Sequence, residues 1–318
     1  MKRTNMNPSS RYDETRDCVL LQARNSEFGD AVFLARHGRR HYVPSAKIVA
    51  ELGLRWPEDV LQVPAAVIRA LSIGGPVPHR FAPDADPRQI VSSMEMREYM
   101  ARNLRGLGLE VGAGASPFPV PLHCRVLYGD KWPHERLVRE LYPGQAAHNL
   151  VVPDLQTEFE TFRGIADESL DFIIGCHVIE HTRNPIGAIA TAHRKLKPGG
   201  QLLLVVPEKT RTFDRERSLT PLSHLIDDYR HPDRTRDLQH YDEFFTLAFP
   251  TPEERRAQAI READEFDADI HFHVWNYPSF MEMIEYVNRE VVKWSSVWSY
   301  PPLSNPELDI EFYVALTK

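Results

Sequence analysis

The sequence has few cysteines, no long apolar runs and no excess of positive charge. Its three cysteines, Cys18, Cys124 and Cys176, show neither disulfide-framework nor zinc-type spacing. So sparse and odd a set suits a reducing compartment. The longest solid apolar run, Leu202 to Val206, is far short of the roughly 20 residues that cross a bilayer. Residues 1–7 (Met-Lys-Arg-Thr-Asn-Met-Asn) lack the apolar core of a signal peptide, so a cytoplasmic chain without a membrane span is expected. Lys and Arg number 38 against 45 Asp and Glu, a net charge of -7, which disfavours a general nucleic-acid surface. Internal repeats and low-complexity tracts are absent. At 318 residues, with 42% hydrophobic and 26% charged, the composition is that of a globular protein of one large domain or two.

Two phosphate-binding signatures are incomplete as well. Residues 107–114, Leu-Gly-Leu-Glu-Val-Gly-Ala-Gly, read as a buried strand leading into a tight turn, with Glu110 placed to accept hydrogen bonds there. Gly112 and Gly114 permit positive φ and close approach of backbone to a ligand. A dinucleotide site adds a third glycine and a helix N-terminus for the pyrophosphate. Here Ala115-Ser116-Pro117-Phe118-Pro119-Val120-Pro121 follows, and alternate prolines cannot build a helix interior. No Gly-Lys-Ser/Thr follows, which excludes a P-loop. The turn therefore suits a ligand that carries no phosphate.

The chain divides by pattern. Residues 1–82 form a small N-terminal α+β module with a loose polar start at 1–17. Strands are expected at 18–23, 31–35 and 41–43, a turn at His37–Arg40, a helix at 46–52 capped by Ser45, and a second at 64–71. Gly74 through Pro87 reads as a linker. Residues 83–318 then alternate: a helix at 89–104, strands at 107–111, 125–129, 148–152, 170–175 and 201–206, and a helix at 185–196 closed by Lys197-Pro198-Gly199-Gly200. A helix at 277–287 and strands at 291–297 and 309–316 complete the pattern. Such alternation implies a doubly wound, mostly parallel α/β sheet. Residues 208–272 break the rhythm and read as a lid or substrate-recognition insert, since ligands bind at the carboxyl edge of such sheets; an irregular surface excursion is the alternative.

Four pieces, in order, resemble the class I S-adenosylmethionine (SAM)-dependent methyltransferases over residues 88–318: Leu109–Gly114; Asp130 after Arg125–Gly129; Asp154-Leu155 followed by Ala166–Phe172; and His177–His181 with Leu196–Gly200. The resemblance implies a Rossmann-like seven-stranded sheet and SAM as cofactor. It assigns the cofactor to Glu110, Gly112, Ala113, Gly114, Asp130, Asp154, Leu155 and His177, with Asp130 on the ribose hydroxyls, Asp154 toward the adenine amino group and His177 beside the cofactor. The residues agree in part, because a carboxylate on vicinal hydroxyls gains two charge-assisted hydrogen bonds. The Gly112–Asp130 interval also suits one βαβ unit. A solvated turn aspartate and a strand-end cap are the plain readings of Asp130 and Asp154.

The chemistry is expected from histidines. His181, His271, His273 and His240 are the candidate catalytic groups, because imidazole titrates near working pH. In His271-Phe272-His273 the alternation puts both rings on one side of an extended segment, where a structural pair is the rival reading. His177, Glu180 and His181 share a face if they turn helically. Similar stretches in ubiquinone-pathway and small-RNA methyltransferases hold Mg²⁺ through a leading glutamate. Histidine in that place disfavours so hard an ion, so no metal is expected and that triad is the secondary alternative. Thr212–Arg217 either shapes the acceptor pocket or is a solvated charge run.

The reaction expected is methyl transfer to a small-molecule or saccharide acceptor, at a hydroxyl oxygen, in line and helped chiefly by positioning. The lean to saccharides rests on resemblance to bacterial methyltransferases of surface-glycan (polysaccharide) and secondary-metabolite assembly. A catalytically silent SAM-fold binding module is the first rival. A nicotinamide-dependent oxidoreductase is the second, and a nucleic-acid methyltransferase fits the net charge less well. A homo-oligomer is compatible with everything in the sequence.

Overall fold

The computed structural model describes residues 18–82, 84–307 and 309–318; the loose start expected at 1–17 lies outside the described residues. The first unit runs β1 (Val19–Gln22), β2 (Val32–Arg36), β3 (Arg39–Tyr42), α1 (Ala46–Glu51), β4 (Val60–Gln62), α2 (Ala65–Arg69) and β5 (Ser72–Gly74). Its strands form a five-stranded sheet in the order β4-β1-β2-β3-β5. His37 and Gly38 both take positive φ (51° and 74°), as a two-residue hairpin turn demands. The turn is thus tighter than the four residues the sequence suggests. Ser45 caps α1 by accepting from Ile48 N–H. Strands β4 and β5 were not expected, because three-residue strands carry too little periodicity to read.

The second unit runs α3 (Ser93–Ala101), β6 (Leu107–Val111), β7 (Arg125–Asp130), α4 (His134–Arg136), β8 (Leu155–Gln156), β9 (Leu170–Cys176), α5 (Pro185–Lys195) and β10 (Leu196–Pro207). The helices α6 (Leu222–Arg230), α7 (Asp237–Glu243), α8 (Glu253–Glu265) and α9 (Tyr277–Glu290) follow, then β11 (Ser296–Tyr300) and β12 (Glu311–Thr317). Seven strands order as β11-β12-β10-β9-β6-β7-β8. Only β12 pairs antiparallel with its neighbours, β10 and β11; the sheet is mixed but mostly parallel, as expected. Leu202–Val206 in β10 is wholly buried, the signature of a strand covered on both faces. Among the described residues no helix is long and apolar enough to cross a membrane.

Two strands fall elsewhere than expected. The segment 148–152 is a 3₁₀ turn (Ala147–Asn149) and coil, and the strand is β8 at Leu155–Gln156. Pro153 explains the shift: it lacks the N–H a sheet ladder needs, so pairing begins after it. The strand expected at 291–297 begins only at Ser296, because α9 and its exit occupy the residues before it.

Candidate active site

A cavity of about 340 Å³ opens where β6, β7 and β9 end, the edge at which doubly wound sheets take ligands. The glycine turn forms its floor. Gly112 (φ 72°) donates to the Gly129 carbonyl at 2.9 Å. A Cβ on Gly112 would lie 2.9 Å from Val178 Cγ2, and one on Gly114 (φ 52°) 2.2 Å from Tyr142 Oη. The left-handed backbone and the tight surroundings both require glycine. Ala113 accepts from Ser116 N–H within the turn at 3.0 Å without lining the cavity.

Glu110 holds this turn from behind. It is buried, and both its oxygens accept from Phe118 N–H, at 2.9 and 3.1 Å. Phe118 carries the one N–H between Pro117 and Pro119, so this bond pins the proline-rich segment. Burial pushes the Glu110 carboxyl up to about 8, against the pull of the Phe118 N–H. Its position makes Glu110 a support of the turn, set back from the cavity lining.

Asp130 ends β7 in the cavity wall, with Oδ1 accepting from Trp132 N–H at 2.9 Å. Burial raises its carboxyl to about 6, with the Asp269 carboxylate adding to the shift against the pull of the Trp132 and Lys131 N–H groups. His177 follows β9 in the left-handed conformation (φ 53°), its N–H on the Val205 carbonyl at 2.9 Å. Its Nε2 lies 2.7 Å from Glu311, which Arg97 also grips through two bonds of 2.8 and 2.5 Å. Burial opposes ionisation of Glu311, but His177 and Arg97 outweigh it and hold the carboxyl at about 2.

Asp154 is elsewhere. With the strand at 155–156, residue 154 stands before the strand's amino end, and the residues reaching the cavity from its carboxyl end are Glu158, Phe159 and Glu160. The Asp154 carboxylate accepts from Tyr128 N–H at 2.9 Å and from Arg39 of β3 at 2.7 and 2.8 Å. It lines a separate cavity of about 310 Å³ between the two sheets. That carboxylate, expected at the adenine, lies outside the strand-end cavity and serves the junction between the units. Leu155, paired with Gly129, packs against the core and does not reach the cavity either.

The histidines separate into two groups. His181 lines the cavity, with Nδ1 3.0 Å from Asp269. Burial works against its protonation, yet the Asp269 and Glu180 carboxylates overcome it and raise His181 to about 9. His271 stands edge-on to His181 at 4.8 Å between ring centres, its Nδ1 2.6 Å from Asp214. Asp214 is buried and also accepts from Arg217 at 2.9 Å, so Thr212–Arg217 is not a solvated charge run.

His273 and His240 do not join them. Their rings lie 5.5 Å apart beside His224, and His273 Nε2 contacts the Arg183 carbonyl at 3.1 Å. Burial pushes His240 down to about 4 and His273 well below its ordinary value. The expected pairing of His271 with His273 across one site therefore fails: each enters a different cluster, and His273 and His240 lie outside the cavity.

The residues between α6 and the start of α9 are latched to the rim by ion pairs. Lys131 meets Asp267 at 2.6 Å, and Arg183 meets Asp237 at 2.9 Å and Asp267 at 2.6 Å. Asp269, Glu158, Trp132, Tyr142 and Arg183 thus belong to the site although sequence reasoning singled out none of them. Glu158 had a signal, an acid just past a short strand; Asp269 had only its place beside a histidine pair. Leu137–Leu141 adopts a π-helical turn, and Leu137, Leu141 and Tyr142 complete one wall.

A family profile described as a methyltransferase domain matches residues 94–294. No curated protein sequence matches the chain. Similar solved structures include a SAM-dependent methyltransferase from Thermotoga maritima, with 15% identity over 71% of this chain and 88% of that one, at a TM-score of 0.40. Another, from Aquifex aeolicus, has 16% identity over 75% of this chain and 99% of that one, at a TM-score of 0.37. With the profile spanning well over half its length, this chain belongs to the class I SAM-dependent methyltransferases.

Proposed function

We propose that the chain methylates a hydroxyl oxygen of a small polar acceptor, of the saccharide class. The observation that carries this reading is one cavity whose lining falls into two chemically unlike halves, the Gly112 turn with Asp130 and Glu158, and His181 with Asp269 and Arg183. The first half suits SAM. The turn brings the left-handed backbone of Gly112 to the cavity lining without a side chain, and Asp130 and Glu158 offer carboxylates to hydroxyl and amino donors. When bound, SAM supplies an electrophilic methyl group on a sulfonium. The second half suits an acceptor rich in hydroxyls. Burial raises the Asp269 carboxyl, but His181 beside it outweighs burial and holds it below its ordinary value. Asp269 is then ionised at neutral pH and can accept from the hydroxyl to be methylated, orienting its oxygen toward the methyl group. The 208–272 insert serves as the recognition element, its acidic residues joined to Lys131 and Arg183 at the rim.

The test is radiolabelled methyl transfer from SAM to a panel of sugars, nucleotide sugars and amines, beside calorimetry with S-adenosylhomocysteine (SAH). Transfer to a sugar hydroxyl is expected, and Asp269→Ala should lower turnover roughly 100-fold with SAH affinity little changed. SAH binding without turnover on any acceptor favours the silent binding module. NADH binding in place of SAH favours the oxidoreductase.

A further inference from the structure

Glu180 follows β9 in a short 3₁₀ turn and is fully buried, yet neither of its carboxylate oxygens has a hydrogen-bond partner among the described residues. A buried carboxylate left unpaired is strongly disfavoured. Its Oε1 lies 3.9 Å from His271 Nε2 and 4.0 Å from His181 Nε2, too far for hydrogen bonds. Tetrahedral ligands on bonds of about 2.0–2.2 Å stand roughly 3.3–3.6 Å apart, so an inward shift of a few tenths of an ångström would let these atoms hold an ion. The ligand atoms of Glu180, His181 and His271 all lie within 4.8 Å of one another.

The surroundings are built to match. Each imidazole turns its other nitrogen to a second carboxylate, His271 to Asp214 at 2.6 Å and His181 to Asp269 at 3.0 Å. A carboxylate on Nδ1 orients each ring with Nε2 toward Glu180, where a metal would take the place of the proton that His181 carries without one. The Glu180 carbonyl accepts from Phe272 N–H at 2.8 Å and His273 N–H at 3.3 Å, which sets the register of the two segments.

We propose that Glu180, His181 and His271 form a divalent transition-metal site in the cavity wall. Two imidazoles and one carboxylate suit Mn²⁺, Fe²⁺, Co²⁺ or Zn²⁺ better than Mg²⁺ or Ca²⁺, which prefer oxygen ligands throughout. His181 lines the cavity, so the ion's open side would meet the acceptor's oxygens; that last point rests on the methyltransferase reading. His177, the ligand expected from spacing, gives way to His271. Its Nδ1 is 3.7 Å from the same Glu180 oxygen and its Nε2 meets a carboxylate too, but that carboxylate, Glu311, is bound to the Arg97 guanidinium, a cation on that side of the site. In the remaining cluster, His224, Asp228 and His273, the Asp228 carboxylate is bound to Arg236, whose guanidinium sets a cation against any metal ion there.

The experiment titrates tag-free, chelator-stripped protein with Co²⁺ and reads visible d–d absorption, with SAH calorimetry alongside. One Co²⁺ per chain is expected, with affinity at least 100-fold weaker in Glu180→Gln and in His271→Ala and unchanged in Asp228→Asn. X-ray absorption at the cobalt edge of the unaltered chain needs no variant to fold and should show two imidazoles. No cobalt spectrum, a spectrum indifferent to Glu180→Gln, or a shell without imidazole overturns the site. If SAH still binds in that case, the methyltransferase reading stands and only the metal falls.

Discussion

Two cavities of similar volume lie along β7 and use their charged groups in opposite ways. In the junction cavity, about 310 Å³, Arg39 donates to both oxygens of Asp154 and lies over the Tyr128 ring at 4.4 Å. The carboxylate there is answered by a cation. In the cavity at the strand ends, about 340 Å³, no cation touches Asp130, and burial raises its carboxyl to about 6. Glu180, at the same edge, has both oxygens unpartnered. Volume does not distinguish a ligand site from a seam between units. What the strand-end cavity has and the seam lacks, among the described residues, is a carboxylate such as Asp130 held without a cation at the carboxyl edge of parallel strands.

The comparison can be broken from the seam side first. A Cβ on Gly75 would lie 1.9 Å from the Phe118 carbonyl oxygen, a backbone contact that cannot swing aside. Gly75→Ala should cost about 1–3 kcal/mol of stability, as overpacking does, read as a lower urea midpoint. An unchanged midpoint would show that the two units are not tightly joined there. From the ligand side, pH gives a middle-sized effect. Asp130 is ionised, and able to accept from hydroxyls, above about 6. As pH falls through that value it gains a proton, so SAH affinity should drop roughly tenfold per pH unit below it; a flat profile from pH 7.5 to 5 would exclude Asp130 as the acceptor group. The smallest effect belongs to the seam's ion pair. The Asp154 side chain is 38% exposed, so solvent screens the pair. Asp154→Asn, which keeps an oxygen for the Tyr128 N–H, should cost at most about 1 kcal/mol, less at high salt, and leave SAH affinity alone.

What the sequence made legible follows the range of its signals. Gly112 and Asp130 were readable because both mark strand ends in a solid βα rhythm, where the chemistry at the edge is set within a few residues. Asp154 was misread through a local competition: the apolar run Leu150–Val152 looks like a strand, but Pro153 denies it a ladder bond and starts the true strand two residues later. That shift exchanges Asp154 for Glu158 at the cavity. Glu110 was placed correctly in its strand, yet its partner, Phe118 N–H, becomes evident only once the prolines on either side are seen to leave one donor. The histidines were hardest. Alternation placed His271 and His273 together, but the choice between the Glu180–His181 wall and the His224–His240 cluster depends on carboxylates from distant segments, Asp214 and Asp269, which no local pattern announces.

On the function proposed above, Asp130 and not Asp154 is the carboxylate that meets the cofactor. Calorimetric titration of SAH into Asp130→Ala and Asp154→Ala at pH 7.5 tests it directly. Loss of two charge-assisted hydrogen bonds at about 1.5 kcal/mol each predicts roughly 100-fold weaker binding for Asp130→Ala, with Asp154→Ala within about threefold of the unaltered chain. Binding that survives Asp130→Ala and collapses in Asp154→Ala would contradict it.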